Sequence, residues 1–381
     1  MDTRFRRAAL FALALPSLLG IRSAHAGVVN PDISLIGQPV IRWTDDSSSV
    51  ARKRPQFLLG ETELVFDAAL NPYAHGTAVF TFADGNADVE EAYFAMTRGL
   101  PLGLALKGGK YRVPFGKLNP AHPHTYPFAD RFRVLAAYLP GEDGYADTGI
   151  ELSERIPAPG DLALTASADW LSGDPFRRER EPLAGNDPIF TTTAGDRAGE
   201  PRPAGLGRLS AFVPMGDRSG VELGADVLQG TNDVAAAART TLWGADAKLK
   251  LWTAATSYLL LQGEFLHLDR DEAGWDSVRA AFTRDPLKRS GGYVFADYAF
   301  ATRYDAGVSF ETFERPSAAA ERDQAFGAFA GLALLEESTV FRIGWEHFMP
   351  GATGGGHDPK AIDTLTLRVI YSMGPHKAHQ F

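Results

Sequence analysis

In the stretch Thr241-Leu242-Trp243-Gly244-Ala245-Asp246-Ala247-Lys248-Leu249-Lys250-Leu251-Trp252-Thr253, Trp243, Ala245, Ala247, Leu249 and Leu251 alternate with Asp246, Lys248 and Lys250. Successive side chains of a β-strand point to opposite faces, so this segment reads as a strand with one apolar and one charged face. The same period recurs on both sides of it. In Leu58–Leu70 the even positions Leu58, Leu64, Phe66, Ala68 and Leu70 are apolar, against Glu61, Glu63 and Asp67 on the odd ones. Phe341, Ile343 and Trp345 alternate with Arg342 and Glu346, and the segments 162–170, 221–227 and 306–312 behave alike. Nothing sustains a helical period.

The connections alternate too. Asn71-Pro72, Gly99-Leu100-Pro101, Pro157–Gly160, Gly216–Ser219, Ala254–Thr256, Thr302-Arg303 and Glu336-Glu337 read as tight turns. Between them lie polar and mostly long links at 44–55, 84–87, 116–146, 172–205, 231–239, 270–289, 315–322 and 350–361. Seven short and eight longer connections imply sixteen strands with both ends on one side. In a bilayer every backbone N–H and C=O must be paired internally, so a sheet spans only as a closed barrel, with short periplasmic turns and long outer loops. The expected fold is therefore all-β: one transmembrane antiparallel barrel of about 16 strands over residues 27–381. Tyr73, Trp170, Trp243, Trp252, Tyr258 and Trp345, near strand ends, suit the two aromatic girdles of such a barrel.

Composition removes the competing classes. The chain has 381 residues, 45% of them hydrophobic by type, with a mean hydropathy of −0.15. Beyond residue 21 no apolar run reaches the roughly 18–20 residues of a membrane helix. Twenty-four Phe, 11 Tyr and 6 Trp are too many for a disordered chain. The absence of cysteine excludes disulfides, thiolate metal sites and Cys nucleophiles. A net charge of −9 makes a nucleic-acid partner an unfavourable expectation. Arg4, Arg6 and Arg7, the apolar stretch 8–21 and Ala24-His25-Ala26 form the pattern of an export signal cleaved after Ala26. That leader carries a net +3, so its removal leaves 355 residues with a charge near −12.

At the other end Leu365, Leu367, Val369 and Tyr371 alternate with Thr364, Thr366 and Arg368 as a closing strand, and the chain terminates on Phe381. A terminal aromatic after such a strand resembles the signal read by the outer-membrane barrel assembly machinery. Gly374-Pro375 and the polar stretch 376–380 depart from that pattern. With the leader and the strand count, the mature chain resembles Gram-negative outer-membrane porins. Glu90-Glu91-Ala92-Tyr93-Phe94 and the segment Leu106-Lys107-Gly108-Gly109-Lys110-Tyr111-Arg112-Val113-Pro114-Phe115-Gly116 are similar to the phosphate-selective porin group. Related barrels in that group are sometimes labelled zinc-regulated or TonB-dependent receptors. A TonB-dependent receptor has 22 strands and a plug, for which 355 residues are too few. Leu102, Leu104 and Leu106 are even while Tyr111, Val113 and Phe115 are odd, so a β-bulge at Gly108-Gly109 is expected to switch the outward face.

In a barrel the polar parity lines the lumen. The expected lumen acids are Glu61, Glu63, Asp67, Glu151, Asp169, Glu222, Asp226, Asp246, Glu264, Asp297, Glu311 and Glu346; the bases are Arg42, Lys110, Arg112, Arg155, Arg208, Lys248, Lys250, Arg342 and Arg368. This near-balance predicts modest selectivity leaning towards cations, because strong phosphate selectivity wants an excess of Lys or Arg. Arg42, Arg342 and Arg368 fall on the first and last two strands, where closure makes them a basic strip facing acids elsewhere in the pore. The link 116–146 is long enough to fold inward and narrow the channel. His122 and His124 within it, and His376 and His379 at the C-terminus, are pairs able to bind Zn²⁺ or Cu²⁺, but no third ligand follows at a diagnostic spacing. No G-x-S-x-G, P-loop or H-E-x-x-H pattern marks an enzyme, and Gly354–Gly356 has no strand-to-helix context. The expectation is a cofactor-free channel for small hydrophilic solutes, set in outer-membrane lipid and compatible with a homotrimer. A loop-plugged structural barrel or adhesin, or a metal-related uptake barrel, are the alternatives.

Overall fold

The computed structural model describes residues 30–83, 85–141, 144–178, 200–276, 278–317, 319–334, 338–352 and 360–375. The expected leader and its cleavage point, the turn Glu336-Glu337, His376, His379 and Phe381 lie outside them. The alternating segments form one antiparallel sheet that closes on itself. Strand β1 consists of Asp32–Gly37 and Val40–Thr44, and β2 of Gln56–Leu58 and Thr62–Ala69. There follow β3 (Ala74–Ala83), β4 (Asn86–Met96), β5 (Ala105–Arg112), β6 (Ala146–Ile156), β7 (Ala163–Leu171), β8 (Ala204–Met215), β9 (Ser219–Asp233) and β10 (Ala238–Ala254). The circuit is completed by β11 (Ser257–Asp276), β12 (Ala281–Phe300), β13 (Tyr304–Glu314), β14 (Arg322–Leu334), β15 (Thr339–Met349) and β16 (Ile362–Met373).

Each strand pairs with its sequence neighbours, and β16 returns to β1 through Thr364↔Thr44 to Arg368↔Val40 and Leu35↔Met373 to Gly37↔Tyr371. Sixteen strands therefore close the wall on itself, while the tip of the β11–β12 hairpin, 271–276 against 281–290, has ladder partners only within the hairpin.

The alternation seen in the sequence sorts the wall into two faces. On β11, Phe265 is 55% exposed while its neighbours Glu264 and Leu266 are buried. Trp243, Val294, Val308, Phe326, Ile343 and Leu365 are likewise exposed on the outside. An apolar belt of this kind is costly in water and favourable in lipid. Tyr73, Trp170, Trp243 and Trp345 are exposed, as girdle residues are. Trp252 and Tyr258 are not: they line a cavity inside the short-turn end, with the Arg218 guanidinium 3.5 Å from the Trp252 ring centre and Lys250 Nζ 4.2 Å from that of Tyr258.

Three expectations need correction. Residues 270–289 are not a loop; β11 and β12 are 20 residues each and pair as far as Asp276↔Ala281. About ten residues suffice to cross the hydrocarbon, so this hairpin continues beyond the bilayer, where both faces are wet and no apolar parity marks it. Likewise β9 and β10 take up most of 231–239.

The ladder is also continuous through Gly108-Gly109, from Ala92↔Lys110 to Met96↔Leu106. Tyr111, Val113 and Phe115 are buried inside rather than facing lipid, so no switch of face is needed. Gly109 is instead a site of close approach: at φ +132, an added Cβ would lie 2.2 Å from the Ala92 carbonyl oxygen. The register shift sits on the neighbouring pair, between Val79↔Glu91 and Phe80↔Val89, which leaves Glu90 as the extra residue of β4.

If the exposed belt faces lipid, Val308→Arg should destabilise the folded barrel by about 2–4 kcal/mol, the cost of arginine near the bilayer midplane. Denaturant unfolding in vesicles measures it; an unchanged midpoint would show that Val308 does not face hydrocarbon.

Candidate functional site

The largest apolar core of this barrel lies inside it. After β5 the chain turns into the lumen, where residues 113–141 and 144–145 lie. Its two ends are stapled by a fully buried asparagine. Asn119 Nδ2 donates to the carbonyls of Val113 at 2.7 Å and Tyr145 at 2.9 Å, and Asn119 Oδ1 accepts from the Tyr145 N–H at 2.8 Å. Beyond the staple runs one short helix, α1 (Arg133–Tyr138), which buries Val134, Leu135 and Tyr138.

The loop's aromatic side chains pack on aromatic side chains of the wall. Phe132 stacks on Tyr293 with ring centres 4.1 Å apart, and Phe128 meets Phe295 at 5.2 Å and Phe329 at 5.9 Å. The wall makes room with glycine: a Cβ at Gly244 would lie 2.6 Å from the Phe115 ring, and one at Gly344 would lie 2.8 Å from Ala129 Cβ.

The charged parity of the wall supplies the polar half of this docking. Glu264 Oε1 accepts the backbone N–H groups of Lys117 at 2.7 Å and Leu118 at 2.9 Å, and also the Tyr293 hydroxyl at 2.7 Å. Asp226 accepts the Gly116 N–H, and Glu311 the Val134 N–H at 3.0 Å. In return Arg342 donates to the Pro127 carbonyl at 2.8 Å and Arg42 to Asp130 at 2.5 Å, while Arg133 of the loop pairs with Glu346 at 2.5 Å. Charge-assisted bonds are stronger than neutral ones, and at the buried acceptors Glu264, Asp226 and Glu311 loss of a partner leaves a costly orphan.

The expected lumen residues thus fall into groups. Arg342 and Arg368 are directly cross-strand, with Arg42 on the adjacent strand; they meet Asp305, Asp130 and Gln38. Asp226 and Asp246 share the Arg208 guanidinium. Glu222, opposite Lys248 in the ladder, pairs with Lys117 of the loop. Asp67 accepts from His75 and Thr77.

Lys110 departs from expectation. It shares the face of Ala92 and Phe94 on the outside of the wall, with Nζ on the Val89 carbonyl, because the ladder at Gly108-Gly109 does not shift. Lys107 is the inward residue there, 4.3 Å from the Tyr93 ring centre.

Glu61, Glu63, Arg112, His122 and His124 do converge, together with Glu90 and Glu91. His124 Nδ1 is 2.8 Å from Glu63 Oε1, and His122 Nε2 is 3.1 Å from Glu91 Oε2. Burial by itself would lower the His122 pKa. The contacts to Glu63, Glu90 and Glu91 outweigh it and hold the imidazole well above its usual value.

What the sequence reasoning missed is the loop's own contribution: Lys117, Asn119, Asp130 and Arg133. The signal was available in Tyr126, Phe128, Phe132, Val134, Leu135 and Tyr138, which are too apolar for an exposed link.

Three cavities remain around the loop. One of about 390 Å³ opens at the short-turn end beside Trp252, Tyr258, Asp297 and Arg342. Another, of about 360 Å³, is lined by Asp67, Glu91, Arg112 and His122. A much narrower one, of about 40 Å³, runs between Phe128 and Asp130 of the loop and Glu311 and Glu346 of the wall.

Solved structures of outer-membrane proteins superpose on this closed wall. The outer membrane channel DcaP of Acinetobacter baumannii superposes with a TM-score of 0.58 at 9% identity, over 92% of this chain and 99% of that one. The anion-selective porin of Comamonas acidovorans gives 0.56 at 9% identity, over 90% and 100%. The trimer form of OmpT, an outer membrane protein of Vibrio cholerae, gives 0.56 at 13%, over 91% and 100%. The fold is that of the outer-membrane porins. In sequence the chain is 29% identical over 269 residues, 68% of its length, to an uncharacterized protein of Aquifex aeolicus. The match spans about half of that relative's length, 55%. No protein-family model matches the chain.

Phe132→Ala should loosen the loop by about 3–5 kcal/mol, the usual cost of deleting a buried Phe ring. Hydrogen exchange of α1 should rise while that of the β9–β12 amides stays unchanged. Equal protection of α1 in both proteins would show that the stacking on Tyr293 does not hold the loop.

Proposed function

We propose that this barrel is a passive outer-membrane channel, without covalent chemistry, for ions and small hydrophilic solutes, and that the inward loop is its constriction. The observation that carries the reading is the position of the loop. It occupies the lumen, yet charged cavities remain on the short-turn side and a small pocket lies beside Asp130, Glu311 and Glu346. The porin fold and an apolar outer belt support the same reading.

Over the lumen as a whole the acids outnumber the bases only modestly, so selectivity leans weakly towards cations rather than phosphate. The DcaP and Comamonas proteins are named as a channel and an anion-selective porin; for this chain the class of solute is our inference. A homotrimer, as in the trimer form of Vibrio OmpT, is part of the proposal, and so is export behind a leader cleaved after Ala26.

A second reading, a barrel closed by its own loop and serving as a structural protein or adhesin, is favoured by the dry aromatic contact of Phe132 on Tyr293. Planar-bilayer recording separates the two. A channel gives discrete conductance steps, with reversal potentials in a salt gradient shifted towards the cation. Gly244→Leu, which fills the seat of Phe115, should displace the loop and enlarge the steps. A barrel that is silent in both forms belongs to the second reading.

Lys250→Glu, beside Trp252 and Tyr258 at the short-turn end, should move the reversal potential further towards the cation without changing step size much. No movement would show that Lys250 lies outside the ion path.

A further inference from the structure

The convergence of His122, His124 and three strand carboxylates does more than hold the loop. His122 precedes the turn Pro123–Thr125 in extended conformation (φ −78, ψ 147), so a single proline separates the two imidazoles and sets their ring centres 5.6 Å apart. Both rings turn to the same part of the wall, where β2 presents Glu63 and the extra residue of β4 presents Glu90. Glu63 Oε1 is 2.8 Å from His124 Nδ1, and Glu63 Oε2 is 3.3 Å from His122 Nδ1. His122 Nδ1 also faces Glu90 Oε2 at 3.5 Å.

Among the described residues, Glu63, His122 and His124 can bring one ligand atom each within 4.8 Å of one another, and so can Glu61, Glu63 and Glu90. The decisive detail is that His122 Nδ1 and Glu90 Oε2 are buried and make no hydrogen bond, although their other polar atoms are engaged. His122 Nε2 is held by Glu91, and Glu90 Oε1 by Arg112. An imidazole fixed through one nitrogen by a carboxylate, with the other nitrogen turned to a gap between carboxylates, is the arrangement that orients a metal-bound histidine.

Charge points the same way. Four carboxylates, Glu61, Glu63, Glu90 and Glu91, meet here; Arg112 pairs directly with Glu90, while Lys107 and Arg368 act on Glu91 and Glu61 only at longer range, so the cluster concentrates negative charge. Two imidazoles among carboxylates, with no thiolate, favour an ion of the zinc type over calcium or magnesium. The 360 Å³ cavity touches Glu63, Glu91, His122 and His124, so an ion reaches them without unfolding the barrel.

We propose that His122, His124, Glu63 and Glu90 bind one divalent transition-metal ion of the zinc type, which clamps the inward loop to β2 and β4. Glu91 is a positioning residue for His122 and Arg112 for Glu90. The site does not depend on whether the barrel conducts, so it stands or falls separately from the channel reading.

The test uses the tag-free full-length barrel in detergent, stripped with EDTA and titrated with ZnCl₂ by calorimetry, with metal content read by mass spectrometry. The expected result is one zinc per chain and slower proteolysis of the loop in the zinc-loaded form. His122→Gln, which keeps a polar side chain, should weaken binding by about a hundredfold, and Glu91→Gln by about ten- to a hundredfold, the range seen for residues that orient a ligand. Retained heat-modifiable migration on gels shows that each variant folds. The H376A/H379A variant should bind zinc as the unmodified chain does. In a second measurement, Co²⁺ in the unmodified barrel should show the visible absorption of a low-coordinate site with nitrogen ligands, so the proposal stays testable even if a variant misfolds. No stoichiometric zinc in the unmodified barrel, equal affinity in His122→Gln, or loss of binding only in H376A/H379A would each overturn it.

Discussion

Carboxylates of the wall accept backbone N–H groups of the inward loop, and the rest of the interior follows from that constraint. Glu264 takes two successive amides, of Lys117 and Leu118, while Asp226 and Glu311 take those of Gly116 and Val134. A strand-free segment inside a barrel carries peptide groups that the ladder cannot satisfy. The sheet answers with the only polar groups it has on that face, its alternating side chains. Once those amides are fixed, the aromatic residues between them have nowhere to go but onto the inner wall, and the core forms around Phe128 and Phe132.

This arrangement gives the charged parity two roles. Away from the loop the charges face open cavity, as at Asp67 and Lys107. Against the loop they are buried in pairs, as with Arg208 between Asp226 and Asp246. Residues of one type, spaced alike in the sequence, therefore differ in what they do according to whether the loop lies over them.

The wall was almost entirely legible because lipid imposes a strict period on it. Trp243, Val308 and Ile343 face outward where their parity places them, and Arg342 and Arg368 come together as ladder neighbours. The failures occur where that constraint lapses. Residues 270–289 pass beyond the bilayer, so the strands there show no apolar face. Tyr111, Val113 and Phe115 are apolar because the loop covers them, not lipid, and alternation cannot distinguish two kinds of dry neighbour. Lys110 was misplaced by the same ambiguity. The two histidines were visible, but Glu63 and Glu90 lie about sixty and thirty residues away, and only the loop folded into the lumen brings them to His122.

The extra residue in β4 has an evolutionary consequence. Substitution at a fixed register can change which side chain looks into the lumen, but it cannot make two adjacent ones do so. One added codon at position 90 achieves that, since it puts Glu90 and Glu91 on the same face while leaving the strand ends in register with β3 and β5. Barrels of this kind thus have a way of acquiring a cluster of interior carboxylates by a change in length rather than identity. Comparing strand lengths among homologous walls would then trace new interior chemistry that aligning residue types alone would overlook.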